Sequence, residues 1–368
     1  MAKNGFRVMD SDLHVVEPGT LWDQYLDPKF RGRIVTIQGH AAARHATVDG
    51  KILPPYADRP ERQRAWSHRL KNPAAERLTR GSKPKDALEA MDIEGIDIGI
   101  LFRTWATQAI NIDGLEPAFA AAMARAWNRW IADFCQESPE RLKGSALIPL
   151  QDVDLAVEEA RFGVKELGAV TLVLPSHPIE NRPIYHRDYD RLWAVAQDLD
   201  VAVSFHGNHA VYAEHLAKRY LDNLVLSHAC GQPVEMMLTL GAIVTGGVLA
   251  RFPRLRMAFL EGNCSWLPWW LWALDERWEA WGDQELWGQK ELPSELFKRQ
   301  CYVSVEPEEE LAKHVVAEVG DDNLVVSTDW PHDDSRFPHA LDTFLGLSMS
   351  ESSKRKILWD NCARLYKL

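Results

Sequence analysis

LAVEEARFGVKELGAVTLVL, residues 155–174, carries one repeat of the fold. Leu155–Leu167 reads as a helix, with apolar and charged positions alternating at helical spacing. Gly168 stops it. Ala169–Leu174 (AVTLVL) is then a short apolar, β-type run.

The same unit recurs in both directions along the chain. Toward the N-terminus lie Arg7–Asp12 (RVMDSD), Ile98–Phe102 (IGILF, after a helix ending at Gly95) and Ser145–Leu150 (after a helix containing Ala120–Cys135). Toward the C-terminus the helix Tyr189–Leu199 precedes Val201–His206 (VAVSFH), and the helix Val234–Ala250 precedes Arg256–Glu261 (RMAFLE). Tyr302–Val305 follows a Trp-rich helical region, and Leu324–Asp329 (LVVSTD) follows the helix Glu308–Val319. Strands that alternate with crossover helices are parallel. Eight such units predict an α/β fold of the (β/α)8 TIM-barrel type, with an open doubly wound sheet as the alternative. The interval of about residues 20–85 contains Pro54-Pro55, Pro60, Pro73 and many charges, and is read as an inserted lid over the barrel mouth. The 368 residues fit one barrel domain with such an insertion.

Composition narrows the function. The net charge is −11 and there is no basic stripe, which argues against a nucleic-acid surface. The cysteines Cys135, Cys230, Cys264, Cys301 and Cys362 are scattered, with no CxxC pair, as expected for a reducing compartment. The opening MAKNGFRVMDSD lacks a signal-peptide apolar run, and Pro233–Phe252 carries Glu235, Thr239, Thr245 and Arg251, so no membrane span is expected. The expectation is a cytoplasmic enzyme acting on a small molecule.

In a parallel barrel, active sites lie at the carboxyl ends of the strands. The first predicted strand ends in Asp12-Leu13-His14, the second in Arg103, and the fourth is followed by His177. The fifth ends in His206 with Asn208 beyond it, the sixth in Glu261, and the eighth in Asp329-Trp330-Pro331-His332. The third and seventh offer only Gln151 and Glu306. Residues two apart on a strand share a face, so Asp12 and His14 can bind one ion from one wall. His206 and Asp329 complete a mixed nitrogen–oxygen site suited to Zn²⁺, Mn²⁺ or Fe²⁺.

These residues resemble the amidohydrolase superfamily, in the branch that includes aromatic-acid decarboxylases and C–C or C–N hydrolases. The resemblance rests on Asp10-Ser11-Asp12-Leu13-His14-Val15-Val16-Glu17-Pro18, Met91–Asp97, His206-Gly207, Phe252–Arg256, Glu261–Pro268 and Ser327–His332. It implies a metal-dependent barrel, with zinc the first expectation and one or two ions. Many relatives have His-x-His where this chain has Asp12-Leu13-His14, and decarboxylases of the branch carry a proton-donating His where this chain has Glu261. The resemblance also implies a bridging Lys or Glu on the fourth strand, which is missing here. Glu261 is therefore expected either to bridge to a second ion with His228 or to orient a ligand histidine.

The resulting mechanism is hydrolytic. A divalent ion lowers the pKa of bound water from about 15.7 to about 7. By the resemblance, Asp329 accepts its proton and returns it to the leaving group. His228 or His332 stabilises the oxyanion or serves as the second acid. Arg103 either clamps a substrate carboxylate or sits in a surface salt bridge. His177, Asn208 and Trp330 are expected against substrate. The leading expectation is hydrolysis of an acyl bond (amide, ester, thioester or C–C). The alternatives are non-oxidative decarboxylation of an aromatic or unsaturated acid, and an inactive barrel that only binds. Seven of the 15 tryptophans lie between Trp266 and Trp287. Trp266, Trp269, Trp270 and Trp278 are read as one helical face, for core packing, a homodimer interface or an aromatic substrate wall.

Overall fold

The computed structural model describes residues 3–36, 46–53, 81–207, 223–285, 288–332 and 334–368. Strands in chain order are β1 Met9–Val15, β2 Ile34–Thr36, β3 Ala46–Val48, β4 Lys51–Leu53, β5 Ile98–Arg103, β6 Leu142–Leu147, β7 Thr171–Leu174, β8 Ala202–His206, β9 Met257–Leu260, β10 Cys301–Val305 and β11 Leu324–Val326. Eight of them form one sheet in the order β1-β5-β6-β7-β8-β9-β10-β11. Every pairing in it is parallel. Runs such as Met257–Leu260 and Thr171–Leu174 are buried along their whole length, as strands covered on both faces must be.

The sheet curls until its two ends meet, so the structure is a barrel and not an open sheet. Asp329 N–H donates to the Asp12 carbonyl at 3.1 Å, and His14 N–H to the Trp330 carbonyl at 2.7 Å. The Ser11 hydroxyl donates to Val326 O at 2.8 Å. Asp10 locks this seam from inside. Its carboxylate accepts the Asp12 N–H (3.0 Å), the Thr328 N–H (3.2 Å) and the Thr328 hydroxyl. Burial pushes the Asp10 carboxyl up to about 7, against the lowering effect of these hydrogen bonds.

Several predicted boundaries move, each for a local reason. The first strand runs on to Val15 because it pairs with β5 as far as Arg103. The third ends at Leu147, not Leu150, since Pro149 has no N–H to give the ladder. The eighth ends at Val326, and Asp329 lies beyond it with φ +56°, a conformation no strand contains. The helix after β8 spans Leu224–Thr245 with Pro233 inside it, where the sequence suggested Val234–Ala250. Asn223 caps its start, and Gly247 at φ +71° separates it from the short helix Val248–Arg251. Within the expected insertion, the described part contains the helix Leu21–Tyr25 and the antiparallel sheet β2-β3-β4. The rest of that insertion lies outside the described residues.

The Trp-rich helix Leu267–Trp281 does not present the face expected of it. Trp266, Trp270 and Trp278 are half-buried at four-residue spacing, while Trp269 is 56% exposed. One residue is 100° of helical turn, so Trp269 and Trp270 cannot share a buried stripe. Among the described residues, no helix is long and apolar enough to cross a membrane.

Replacing Asp10 tests the seam. Asp10→Ala leaves buried donors unsatisfied and is expected to lower stability by about 3 kcal/mol. Asp10→Asn keeps an acceptor and removes the buried carboxyl, so it should stay within about 1 kcal/mol of the parent. Denaturant unfolding checks both; an Ala variant as stable as the parent would remove Asp10 from the closure.

Candidate metal centre

Four strand ends deliver the donors. Asp12 and His14 lie on β1, and both are fully buried. His206 is the last residue of β8, and Glu261 follows β9 directly. Asp329 arrives from the far side of the seam, beyond β11, held there by its bond to the Asp12 carbonyl.

The donors face one another closely. His14 Nε2 and His206 Nε2 are 3.0 Å apart. Glu261 Oε2 lies 2.8 Å from His206 Nε2 and 3.4 Å from His14 Nε2. Asp12 Oδ1 is 3.2 Å from His206 Nε2 and 3.4 Å from His14 Nε2. Asp329 Oδ1 is 3.3 Å from His14 Nε2. His14 Nδ1 is 2.8 Å from the Arg103 carbonyl and His206 Nδ1 is 3.2 Å from the Gly207 carbonyl. Each Nδ1–H therefore donates to a carbonyl, which leaves both Nε2 lone pairs aimed into the cage. Two lone pairs and several carboxylate oxygens at this spacing repel unless a cation lies between them.

An ion fits on the structure's own terms. With metal–ligand bonds of about 2.0–2.2 Å, neighbouring donors stand roughly 3.0–3.4 Å apart. Asp12 Oδ1 is buried with no hydrogen-bond partner, while Ser327 occupies its Oδ2. The electrostatics agree. Burial alone would depress the His14 pKa, but the nearby Asp12 and Glu261 carboxylates outweigh it and raise it to about 9. Burial would raise Asp12 and Glu261, yet His206 and His14 hold both below the usual carboxylate range. The cage is a place that draws positive charge.

Two overlapping donor groups emerge among the described residues: Asp12, His14, His206 and Glu261, and His14, Glu261, Asp329 and His332. They share His14 and Glu261 and read as one centre. Asp329 Oδ1 also lies 2.6 Å from His332 Nδ1, and Thr104 Oγ1 is 3.3 Å from His332 Nε2. Burial, then repulsion from Glu261, pushes the Asp329 carboxyl well above its ordinary value. Burial drives His332 the other way. Glu261 and Asp329 both have φ +56°, so these two acids sit on strained backbone, as residues at functional sites often do.

The remaining expected residues divide. His228 is not in either donor group; its Nδ1 faces Asp334 at 3.6 Å, so the described residues do not bring together the second site expected between His228 and Glu261. Arg103 is 4% exposed, which excludes the surface salt bridge. Its Nη2 donates to the His206 carbonyl at 3.1 Å and to Gly207 O at 2.8 Å, so the guanidinium braces a ligand strand. Trp330 is packed in the core, and it serves the site through its carbonyl, not its indole. His177 is half-buried after β7, its Nε2 3.5 Å from the Asn111 carbonyl. Asn208 lies outside the described residues.

Sequence reading missed Gln232. Its Nε2 donates to Glu261 Oε1 at 2.6 Å, leaving Oε2 for the cage. Its position one helical turn after His228 was the available signal. A Cβ on Gly207 would come within 2.6 Å of Gln232 Oε1, which accounts for His206-Gly207 as a pair. Glu17, quoted only as part of a motif, has a structural duty. Its carboxylate accepts N–H groups from Thr104, Trp105, Ala106 and the Trp127 indole, fixing the loop after β5.

An all-parallel barrel with a carboxylate–imidazole cage at the carboxyl ends of its strands defines a metal-dependent barrel enzyme. The amidohydrolase family profile matches residues 10–368, and the chain belongs to that family. Among its relatives is a gamma-resorcylate decarboxylase of Polaromonas sp. (strain JS666 / ATCC BAA-500), 29% identical over 290 residues, covering 76% of this chain and 85% of the relative. An amidohydrolase from Mycobacterium avium subsp. paratuberculosis K-10 superposes with a TM-score of 0.78 at 21% identity, covering 98% of this chain and 99% of that one. A dihydroxybenzoic acid decarboxylase from Polaromonas sp. JS666, with bound manganese and the inhibitor 2-nitroresorcinol, superposes with a TM-score of 0.68 at 23% identity, covering 99% and 97%.

His206→Ala removes one imidazole and should weaken metal binding by about 100-fold or more. Metal analysis after dialysis is the check, and unchanged stoichiometry would remove His206 from the ligand set.

Proposed function

We propose that this chain is a metal-dependent, non-oxidative decarboxylase of an aromatic carboxylic acid. The observation that carries the reading is the joint one. A decarboxylase resembles the chain over 76% of its length, and the donors expected from the sequence converge beside a cavity. The hydrolytic reading uses the same cage but has less support from the relatives. The ion is a divalent one. Manganese stands ahead of the zinc expected from donor types, because a similar structure carries it.

Asp12, His14, His206, Glu261 and Asp329 would hold a divalent ion, which would supply the positive charge that binds and orients the carboxylate of the acid. The chain's own residues do the rest. Asp329 and His332 share a proton across their 2.6 Å contact, and Asp329 lines the cavity. Asp329 gives that proton to the ring carbon that bears the carboxylate. The C–C bond then breaks, its electron pair restores the aromatic ring, and CO₂ leaves. Asp329 is reprotonated through His332. Gln232 keeps Glu261 turned toward the ion, and Arg103 keeps the His206 end of β8 in place.

The five cysteines are all free, which supports a cytoplasmic setting. A homodimer is supported by exposed apolar side chains on two neighbouring helices: Leu238 (55%), Trp269 (56%) and Trp272 (57%). Aromatic side chains of this size anchor protein–protein contacts.

Two measurements test the reading. With 2,6-dihydroxybenzoate and the manganese-loaded protein, CO₂ should be released with no solvent oxygen-18 in the aromatic product. Asp329→Asn should lower kcat by about 10²–10⁴-fold while leaving the fold intact; near-parental turnover would take Asp329 out of the mechanism, and solvent oxygen in a new acid product would favour hydrolysis. For the dimer, light scattering should report two copies, reduced to one by Trp269→Glu with Trp272→Glu. A parent that runs as a monomer sinks that part.

A further inference from the structure

The cavity beside the cage has a volume of about 190 Å³ and an acidic wall. Glu261 and Asp329 of the metal cage line it together with Glu306, Glu308 and Asp334. Two of the last three carboxylates have partners. Glu308 binds Arg336 at 2.7 Å, and Asp334 faces His228 at 3.6 Å. Glu306 differs: among the described residues its carboxyl has no ion pair and no hydrogen bond, although its backbone is fixed. Its N–H donates to Glu309 Oε2 at 3.2 Å, and Glu309 Oε1 in turn accepts the Cys264 and Ser265 N–H groups and the Ser265 hydroxyl. Glu306 thus follows β10 directly, on a turn that Glu309 ties to the loop carrying Glu261.

We infer that Glu306 sets substrate choice: it receives a hydrogen-bond donor of the substrate, a ring hydroxyl or amino group, and excludes acids that bear a second carboxylate. The inference rests on the reading of this cavity as the substrate site. The physical case is one of charge. A substrate already brings one carboxylate, which the cation can receive. A second anion in the cavity would meet Glu306, Glu308 and Asp334, with Arg336 already engaged by Glu308. Like charges brought together in a confined cavity are disfavoured. A neutral or cationic donor instead gives the Glu306 carboxyl the partner it lacks. The same crowding acts on Glu306 itself. Burial, then repulsion from Asp12, Glu309, Glu261 and Glu308, pushes its pKa well above the ordinary value, so the exclusion grows as the pH rises and Glu306 loses its proton, and the ligands are compared over a pH series. A cation in the cage offsets Asp12 and Glu261, but neither the burial nor Glu308 and Glu309.

The test compares ligands on the full-length, manganese-loaded protein. Calorimetry would measure 2-nitroresorcinol against the same ring carrying a carboxylate on the carbon opposite the nitro group. Kinetics would compare 2,6-dihydroxybenzoate with its ring-carboxylated counterpart. The parent should prefer the monoanionic member of each pair by roughly 100-fold. Glu306→Gln, nearly the same size, should shrink that preference at least about tenfold, through the KM of the dicarboxylate, with metal content unchanged. Equal binding of both ligands by the parent, or an unchanged ratio in Glu306→Gln, overturns the inference and leaves the decarboxylase reading standing. A clear binding preference that Glu306→Gln erases, with no turnover of any acid, overturns the decarboxylase reading and supports the role of Glu306.

Discussion

The seam between the first and last strands of the barrel is the constraint on which the site depends. Parallel strands can be added to a sheet indefinitely; only closure brings Asp329 beside Asp12 and His14. Two backbone hydrogen bonds make that join, Asp329 N–H to Asp12 O and His14 N–H to Trp330 O. Both are made by the donor residues themselves or their immediate neighbour. The bonds that close the barrel are thus the bonds that aim the site. Asp10 reinforces the arrangement by satisfying the peptide of Asp12 and both polar groups of Thr328. A buried carboxyl is a costly way to hold two strands together. It is retained where three donors from the two sides of the seam must be met at one point.

Charge organises the next layer outward. Asp12, Glu261 and Asp329 crowd around two imidazoles whose lone pairs face inward. A divalent ion would neutralise most of this, and Arg103 contributes a further buried positive charge behind His206. The arrangement also explains why Arg103 stands where a substrate clamp was expected. A guanidinium committed to the His206 and Gly207 carbonyls steadies the ligand strand. Strain is concentrated at the same end of the barrel: Glu261 and Asp329 both follow their strands in left-handed backbone.

Much of this was legible in the sequence, for physical reasons that can be named. Strands buried on both faces read as apolar runs, so Ala169–Leu174 and Arg256–Glu261 locate β7 and β9 within two residues. Asp12 and His14 share a face by the period of a strand, which spacing alone reveals. Gln232 was not legible, because its value lies in reaching Glu261 across two elements 29 residues apart. The expected pairing of His228 with Glu261 failed for the same reason. Both line one cavity, but the helix places His228 toward Asp334.

The sequence by itself determined the alternation of strands and helices, the family, and the kinds of donor available at each strand end. These are local properties: periodicity, turn chemistry and side-chain type act over a few residues. Tertiary structure decided which donors meet. Distance between strand ends depends on how the sheet closes, and closure is a property of all eight strands together. It placed Glu261 in the cage with Asp12, His14 and His206, moved Trp330 into the core, and left the carboxyl of Glu306 facing the cavity.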